Sequence, residues 1–309
     1  MMCGKRLKNA IPIWLPHYKS RHEKLDSKIE EKLLSISAAT IDRLLKSCKQ
    51  IKRPHGISGT RPGYLLKNQI EIKTDHWDVN QSGFMEADTV AHCGSNISGD
   101  FIWSLTLIDI HTGWTELRAA WNKSSHAICE QISNIEHSLP FKLIGFDCDN
   151  GSEFLNHHLL RYLQERKEPV QFTRSRPYKK NDNAHVEQKN WTGVRHVFGY
   201  YRLDKKFLVG MMNDIYKNEW GFLLNFFYPS MQLCKKVKIN SKYKRKYHQP
   251  MTAYQRILHC DEISESKKKE LSMLHEKLNP FELRESLERK LKAIFSHVQD
   301  FKTNPRRKI

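Results

Sequence analysis

The order of strand and helix patterns between residues 83 and 201 is the feature that most limits the fold of this chain. Three strand patterns come first, and "HTG" at 111–113 predicts a tight turn between the second and the third. Helical and strand patterns then alternate, ending in a helical pattern over 181–201. A three-stranded meander followed by alternating helices and strands predicts an α/β fold, with a five-stranded mixed sheet flanked by helices. The predicted strands are "GFMEADTVAH", "FIWSLTLIDIH", "WTELRAAW", "FKLIGFDCD" and "PVQFTR".

The segments on either side of this core differ from it in composition. Residues 51–82 contain "RPHGISGTRPG", whose glycine, proline and basic residues predict a linker. Residues 1–50 predict a helical region, with two short amphipathic patterns over 27–48 and a good N-cap at Ser37. Two helices joined by a tight turn fit a DNA-reading helix-turn-helix and a plain helical hairpin equally well. Residues 202–309 predict a helical and basic C-terminal region.

The charge of the chain indicates its class of partner. The 309 residues carry a formal net charge of +18, from 52 Lys and Arg against 34 Asp and Glu. This imbalance favours a polyanionic partner, with nucleic acid ahead of an anionic membrane surface. The apolar stretches are shorter than the roughly 20 residues that span a bilayer, and no signal-peptide pattern is present. We therefore predict a cytoplasmic protein without a membrane partner.

The cysteines predict neither a disulfide framework nor a structural zinc site. The chain has 7 cysteines, an odd number, and none of them forms a Cys-x-x-Cys pair. Reduced and mostly buried thiols are the expectation, because free cysteine behaves as a small apolar residue in protein cores.

Three carboxylates stand at positions that suggest a shared site. Asp88 lies in the first strand, Asp149 ends the fourth strand before an Asn-Gly turn, and Glu187 lies in the helix after the fifth strand. Strand ends and helix starts along one sheet edge are close in space. Carboxylates that converge there repel each other unless a cation offsets them, and their oxygens suit Mg²⁺ or Mn²⁺. Two such ions support phosphoryl transfer, so the pattern predicts an enzyme of nucleic acid.

Other acids compete for the same role. Glu86 and Asp147 each stand two residues from a chosen aspartate, so strand alternation puts them on the same face of the sheet. Asp100 and Asp109 are further candidates. The strand pattern alone leaves these alternatives open.

Polar and basic residues around the predicted helix are candidates for DNA contact. Asn183, Glu187, Asn190 and Trp191 share one helix face. Trp191 is expected to pack in the core, with stacking on a base as the alternative. Contacts with the phosphate backbone are predicted for Lys179, Lys180, Asn183, Lys189, Asn190 and Arg195.

A second basic segment, residues 235–248, interleaves lysine and arginine with tyrosine. This pattern fits a DNA-contacting surface, and a solvated basic surface is the alternative. The residues predicted to bind DNA in this segment are Lys235, Lys236, Lys244, Arg245 and Lys246.

Three motifs in this order resemble the DDE integrase and transposase superfamily, whose catalytic core is like that of retroviral integrases. They are "EADTVAH" around Asp88, "DNGSEF" from Asp149 and "RPYKKNDNAHVEQKNW" around Glu187. The flanks, including "CGKRLKNAIPIWLP" and "KLNPFELRESLERKL", are similar to bacterial insertion-sequence transposases. The resemblance therefore extends over nearly the whole chain.

The resemblance implies an RNase H-like catalytic core over residues 83–201, in which Asp88, Asp149 and Glu187 are catalytic and bind two Mg²⁺ or Mn²⁺ ions. It implies strand cleavage and strand transfer of DNA by a homo-multimer associated with the nucleoid, and it favours a DNA-reading role for residues 27–48. It also implies further residues before "CGKRL", so a shortened N-terminal region is expected. A catalytically silent DNA-binding remnant and a nuclease of RNA–DNA hybrids are the alternatives.

Overall fold

The computed structural model describes residues 2–22, 25–49, 70–72, 79–175, 186, 189–239 and 242–298. Within these residues, one six-stranded sheet has the order β1-β6-β5-β2-β3-β4. Its strands are β1 (Glu71–Ile72), β2 (Phe84–Ala91), β3 (Ile102–Asp109), β4 (Thr115–Trp121), β5 (Gly145–Cys148) and β6 (Gln171–Arg174). Strands β2, β3 and β4 form an antiparallel meander, and β5 and β6 run parallel to β2. The predicted α/β class, with a mixed sheet flanked by helices, is confirmed, although the sheet has six strands rather than the predicted five.

The turn between β3 and β4 follows from its polar residues. Asp109 accepts hydrogen bonds of 2.7 Å from the backbone N–H and the hydroxyl of Thr112, and one of 2.8 Å from the backbone N–H of Gly83. Gly113 has a φ of +76°, a left-handed conformation that favours glycine. The predicted tight turn is therefore stabilised by the aspartate that ends β3.

The short strand β1 corrects the prediction that residues 51–82 form only a linker. Glu71 and Ile72 pair in parallel with β6, and the Arg174 Nε donates a 3.1 Å hydrogen bond to the Ile70 carbonyl. A strand of two residues is too short to show an alternating pattern, so only the pairing with β6 reveals it.

Two helices cover one face of the sheet. Helix α4 (Ser125–Glu136) begins after the N-cap Ser124, and helix α5 (His157–Gln164) begins after the N-cap Asn156. Both caps accept a hydrogen bond from the backbone N–H three residues later, which satisfies a free helix donor. The apolar side chains of this layer that pack against the sheet are Ile128, Ile132, Ile135, Leu159 and Leu163.

Helical segments from the second half of the chain cover the opposite face. The sheet residues Ile102, Leu117 and Ala119 belong to a core shared with these segments. The segments are Asn190–Arg195, His196–Phe198, Leu208–Ile215, Tyr216–Trp220, Leu223–Phe227, Ala253–Leu258, Glu265–Lys277 and Pro280–Phe295.

The N-terminal helices are α1 (Gly4–Arg21), α2 (Ser27–Ser35) and α3 (Ala38–Leu44). The Ser37 hydroxyl caps α3, as its position predicts, by accepting a hydrogen bond from the Thr40 N–H. These helices lie within residues 1–50, and a DNA-reading role for them stays a prediction.

Helix α1 packs on the C-terminal helices rather than on the sheet. Its Trp14 ring lies edge-on to Phe227 and Phe281, and the indole N–H donates a 3.1 Å hydrogen bond to the Phe227 carbonyl. The two ends of the described chain are therefore in direct contact.

A separate antiparallel ribbon consists of β7 (Leu233–Ile239) and β8 (Lys242–Tyr247). The ribbon begins two residues before the basic segment 235–248 and otherwise lies within it. No helix among the described residues is long and apolar enough to cross a bilayer.

Candidate active site

The register of β2 against β5 brings two pairs of acids together. Glu86 pairs with Asp147, and Ala87 pairs with Cys148. The same register places Asp88, in the middle of β2, beside Asp149, the residue that follows β5, at a strand spacing of about 4.8 Å. Each pair lies on the sheet face that the segment Asn190–Arg195 covers, because Val90 of the same β2 face shares a core with Val194.

Burial distinguishes the two pairs. Glu86 is 1% exposed and accepts a 3.1 Å hydrogen bond from the Val186 backbone N–H. Asp147 is 4% exposed and accepts a 2.6 Å hydrogen bond from the Thr173 hydroxyl. Asp88 and Asp149 are both partly exposed. Only the outer pair is open to solvent, which supports its choice as the reactive pair.

The other two competing acids lie away from this pair. Asp109 pairs with Met85 across the sheet, whereas Asp88 pairs with Thr106, so Asp109 is at the opposite end of these strands. Its carboxylate is already occupied by the turn before β4. Asp100 is exposed and precedes β3.

Two hydrogen bonds orient the Asp88 carboxylate. The Thr89 backbone N–H donates to Oδ1 at 2.7 Å, and the Asn190 side-chain amide donates to Oδ2 at 2.6 Å. Burial, followed by repulsion from Asp149, raises the pKa of Asp88 to about 7. A carboxyl group in this position is poorly stabilised as an anion unless a cation lies beside it.

The loop after β5 fixes Asp149. Its Oδ1 accepts a 2.9 Å hydrogen bond from the Gly151 N–H two residues later, which is the geometry of an Asx turn. Asn150 anchors the loop to the end of β6, because its amide donates to the Ser175 carbonyl at 3.0 Å and its oxygen accepts from Arg174 at 3.1 Å. Burial, followed by repulsion from Glu153, raises the pKa of Asp149 to about 6.

Glu153 is a third acid at this site that the sequence analysis does not single out. Its Oε1 forms an ion pair with the Lys123 ammonium at 2.6 Å and accepts a 3.0 Å hydrogen bond from the Thr89 hydroxyl. Its Oε2 is buried and has no hydrogen-bond partner among the residues that the structure describes. A signal was present in the sequence, since Glu153 is the second acid of the motif "DNGSEF", after Asp149.

Gly151 makes room for Glu153. A Cβ atom at Gly151 would overlap the Glu153 carboxylate. The glycine of the Asp-Asn-Gly turn is therefore required by the close approach of this side chain.

The donors of this site fit a divalent cation that prefers oxygen. The carboxylates of Asp88, Asp149 and Glu153 interact electrostatically, and Lys123 is the cation that offsets Glu153. The buried Glu153 Oε2 adds an oxygen that lacks a donor within the described part of the chain. Mg²⁺ and Mn²⁺ are the ions that such oxygen donors suit.

Several predicted site residues lie outside the described residues. These are Lys179, Lys180, Asn183 and Glu187. The residues on either side of Glu187 are described at Val186 and Asn190, and they bond to Glu86 and Asp88 of β2. Val186 and Asn190 therefore contact two acids that lie on the same face of β2.

The other residues of this segment that are predicted to contact DNA, Lys189, Asn190 and Arg195, are partly buried or engaged by neighbouring side chains. Asn190 is engaged by Asp88. Lys189 is partly buried, and burial followed by repulsion from Arg6 and Arg256 lowers its pKa to about 7. The Arg195 guanidinium lies 4.5 Å from the centre of the Tyr200 ring.

Trp191 does not pack in the core as expected. Its side chain is 39% exposed, and its ring lies 6.5 Å from that of Tyr200. The neighbouring Val194 and Val197 are the residues that turn inward. The helical segment therefore presents Trp191 to solvent, because its core-facing stripe lies on the other side.

The basic ribbon is exposed. Lys235, Lys244, Arg245 and Lys246 all have exposed side chains, and Lys236 lies in the same ribbon. The register places Lys235 opposite Lys246 and Lys236 opposite Arg245. Like charges directly opposite each other destabilise a strand pair, so this arrangement favours a bound polyanion.

Comparison with known proteins finds a relative of this chain and similar solved structures, of which two integrase core domains are described below. The chain is 36% identical over 258 residues to the uncharacterized protein y4rM of Sinorhizobium fredii (strain NBRC 101917 / NGR234), which covers 81% of this chain and 71% of that protein. No protein-family model matches the chain.

The solved structures are catalytic core domains of two retroviral integrases. The core domain of BIV integrase is 14% identical with a TM-score of 0.36, covering 58% of this chain and 95% of that chain. The HTLV-2 integrase core domain, in complex with magnesium in a dimeric form, is 16% identical with a TM-score of 0.34, covering 48% and 91%.

Proposed function

This chain belongs to the same family as the y4rM protein of Sinorhizobium fredii, and we propose that it is a DDE-type transposase or integrase of the insertion-sequence class. It would cleave DNA strands and join them to a target with the help of Mg²⁺ or Mn²⁺. The observation that carries this proposal is the side-by-side placement of Asp88 on β2 and Asp149 directly after β5.

In this proposal, Asp88, Asp149 and Glu187 hold the cations. Two bound divalent ions supply activation of an attacking oxygen and stabilisation of the leaving oxygen in an in-line displacement. Thr89 and Asn190 orient the Asp88 carboxylate, and the Asx turn at Gly151 orients Asp149. These bonds reduce the reorganisation that the site needs when it binds its ions and substrate.

The assignment of Glu187 rests on its spacing from Asn190. Residues three apart in a helix are neighbours on its surface. Asn190, three residues after Glu187 in the sequence, contacts Asp88 of β2. Glu86 of the same strand accepts the N–H of Val186, one residue before Glu187.

The basic ribbon is the proposed DNA-binding surface. Two-stranded ribbons fit the major groove of B-DNA, and the exposed Lys235, Lys244, Arg245 and Lys246 bring positive charge to such a ribbon. The net charge of +18 favours the same partner. Joining two DNA ends needs two active sites, so a homo-multimer on DNA is part of the proposal.

The test is a strand-transfer assay on duplexes that carry the DNA ends flanking the coding sequence. Wild type is compared with Glu187→Gln and Asp149→Asn in Mg²⁺ and in Mn²⁺, and with Asp100→Asn as an exposed acid away from the site. RNA–DNA hybrids and unrelated duplexes are run in parallel.

We expect wild type and Asp100→Asn to nick and join the flanking ends, and the other two variants to bind the DNA without joining it. If wild type binds DNA but neither nicks nor joins it in either metal, the protein is a silent DNA-binding remnant. Cleavage restricted to the hybrid substrate would establish a nuclease instead.

A further inference from the structure

A cluster of three metal-ligand side chains lies away from the acidic site. The ligand atoms of His111, Cys260 and Glu262 are all within 4.8 Å of one another. His111 belongs to the turn between β3 and β4, whereas Cys260 and Glu262 belong to the loop that follows helix Ala253–Leu258. Because this turn is at the other end of the sheet from Asp88, the cluster is distinct from the proposed catalytic centre.

The chemistry of the three donors selects the cation. Imidazole nitrogen, thiolate sulfur and carboxylate oxygen are the ligand types of zinc in proteins, and zinc sites are usually tetrahedral. Mg²⁺ and Ca²⁺ require mostly oxygen ligands, so a sulfur donor disfavours them. From these donors we propose that His111, Cys260 and Glu262 form a zinc site, with water as the fourth ligand.

The two segments that supply the ligands are held together by bonds that do not depend on a metal. The Gln232 amide donates a 2.5 Å hydrogen bond to the His111 carbonyl, and the Arg256 guanidinium donates a 2.9 Å hydrogen bond to the Thr112 carbonyl. The Ser82 N–H donates to Glu262 Oε1 at 2.6 Å. The ligands are therefore brought close before zinc binds, which lowers the entropic cost of binding.

The electrostatic surroundings of Cys260 favour a cation. The Cys260 thiol is buried and lies near the carboxylates of Glu262 and Asp109, so a cation beside it would offset their negative charges. Without metal, the thiol donates a 3.4 Å hydrogen bond to the Arg256 carbonyl. Binding of zinc replaces this proton, since a coordinating thiol is deprotonated.

The absence of Cys-x-x-Cys pairs predicts no structural zinc site, and the proposed site at this cluster departs from that prediction. His111 is far in sequence from Cys260, and only the packing of the C-terminal helices on the β3–β4 turn brings them together. Zinc would fasten the loop after helix Ala253–Leu258 to the sheet. This role is independent of the proposed function.

The test uses the full chain, produced without a histidine tag and stripped of metal with a chelator. Zinc content after dialysis against Zn²⁺ is expected at about one ion per chain. Replacement by Co²⁺ is expected to give the near-ultraviolet absorption of a cobalt–thiolate bond, which carboxylate sites cannot produce. Cys260→Ser should abolish this absorption, and Cys129→Ser should retain it.

Two further variants separate ligation from folding. His111→Ala should lower zinc content while His126→Ala, at an exposed histidine, leaves it unchanged. Glu262→Gln changes an exposed residue, so it should fold normally by circular dichroism and still bind Zn²⁺ more weakly. Added Zn²⁺ should raise the unfolding temperature of wild type more than that of any of these three ligand variants.

Wild type that gives no cobalt–thiolate absorption would overturn the proposal. The same holds if the absorption persists in Cys260→Ser, because the thiolate would then belong to another cysteine. Neither result bears on strand transfer, which depends on the carboxylate site.

Discussion

The side-chain amide of Asn190 donates a 2.6 Å hydrogen bond to Oδ2 of Asp88. Asp88 belongs to β2, and Asn190 begins a helical segment more than a hundred residues later. The bond therefore couples the orientation of the proposed metal ligand to the helix that follows Glu187.

Asn190→Ala should weaken metal binding and strand transfer without affecting DNA affinity. Removing a group that orients a metal ligand costs about 10- to 100-fold in metal affinity or activity. The measurements are the Mn²⁺ dependence of strand transfer and a DNA-binding titration of the same preparation.

The matched control is Asn218→Ala. Asn218 also donates its amide to a carboxylate, Asp214 Oδ1, at 2.8 Å, but on an exposed helix surface. If both variants lose the same activity, the loss at Asn190 is not specific to the site.

Gly151→Ala should destabilise the protein and reduce strand transfer. The added Cβ overlaps the Glu153 carboxylate, so either this side chain gives up its bonds to Lys123 and Thr89 or the loop that carries Asp149 shifts. Overpacking of this kind costs about 1–3 kcal/mol. Chemical denaturation measures the free energy of unfolding. The strand-transfer assay measures the loss of activity that a displacement of Asp149 would cause.

Gly210→Ala is the control for that substitution. Gly210 lies in the helix Leu208–Ile215, and a Cβ atom there meets no atom within 4 Å. Alanine should stabilise this helix by about 0.5–1 kcal/mol. Equal destabilisation by both substitutions would show that the contact with Glu153 is unimportant.

In metal-free solution, Asp88 and Asp149 should contribute less to stability as the pH rises from about 5 to about 8, whereas His196 and Lys189, whose pKa values burial lowers to about 4 and about 7, contribute slopes of the opposite sign. The folded pKa values of Asp88 and Asp149 are raised to about 7 and about 6, above the ordinary value near 3.8. An acid with a raised folded pKa contributes stability below its unfolded pKa and loses it as the pH rises through the folded pKa. The unfolding temperature, followed by circular dichroism, measures the effect.

Asp88→Asn should remove the Asp88 part of this pH dependence and raise the unfolding temperature at pH 8, because the amide carries no negative charge to be repelled by Asp149. Saturating Mg²⁺ should also reduce the pH dependence of the unfolding temperature of wild type. Asp109, whose pKa is raised to about 6 by burial, contributes a slope of the same sign that neither change affects. An unchanged slope in Asp88→Asn would contradict the electrostatic account of the site.

Replacing Lys244, Arg245 and Lys246 with alanine should weaken DNA binding and its salt dependence together. Each phosphate contact that is lost lowers the slope of log affinity against log salt by about one. The measurement is fluorescence anisotropy with a labelled duplex over a range of salt concentrations.

The charge-matched control replaces Lys267, Lys268 and Lys269 with alanine. They lie in the helix Glu265–Lys277, where Lys267 and Lys268 form ion pairs with Glu270 and Glu265. An equal change in slope for both triple variants would mean that overall charge, rather than the ribbon, controls binding.

The sequence predicts the sheet because each of its five longer strands has a local pattern. The apolar β-branched residues of β3 and the polar turn at Asp109 are encoded over a few residues. The caps Ser37, Ser124 and Asn156 mark helix starts for the same reason, since each acts on a backbone N–H three residues away. The two-residue strand β1 has too few residues for such a pattern.

The sequence predicts the candidate site only in part. Side chains alternate between the two faces of a strand, so acids two residues apart lie on the same face, and the alternation does not show which of them is the reactive acid. The sequence by itself determined that Asp88 lies within the first predicted strand, that Asp149 ends the fourth, and that the chain is strongly basic. Tertiary structure decided that Glu86 and Asp147 are buried with protein donors while the outer pair is open to solvent.

Contacts between distant segments lie beyond any local pattern. Packing of separate elements placed Glu153 against Lys123, exposed Trp191, and brought His111 to Cys260. The physical reason is that hydrophobic periodicity and capping act within a few residues of the chain. Proximity between distant segments arises only when the helices pack on the sheet.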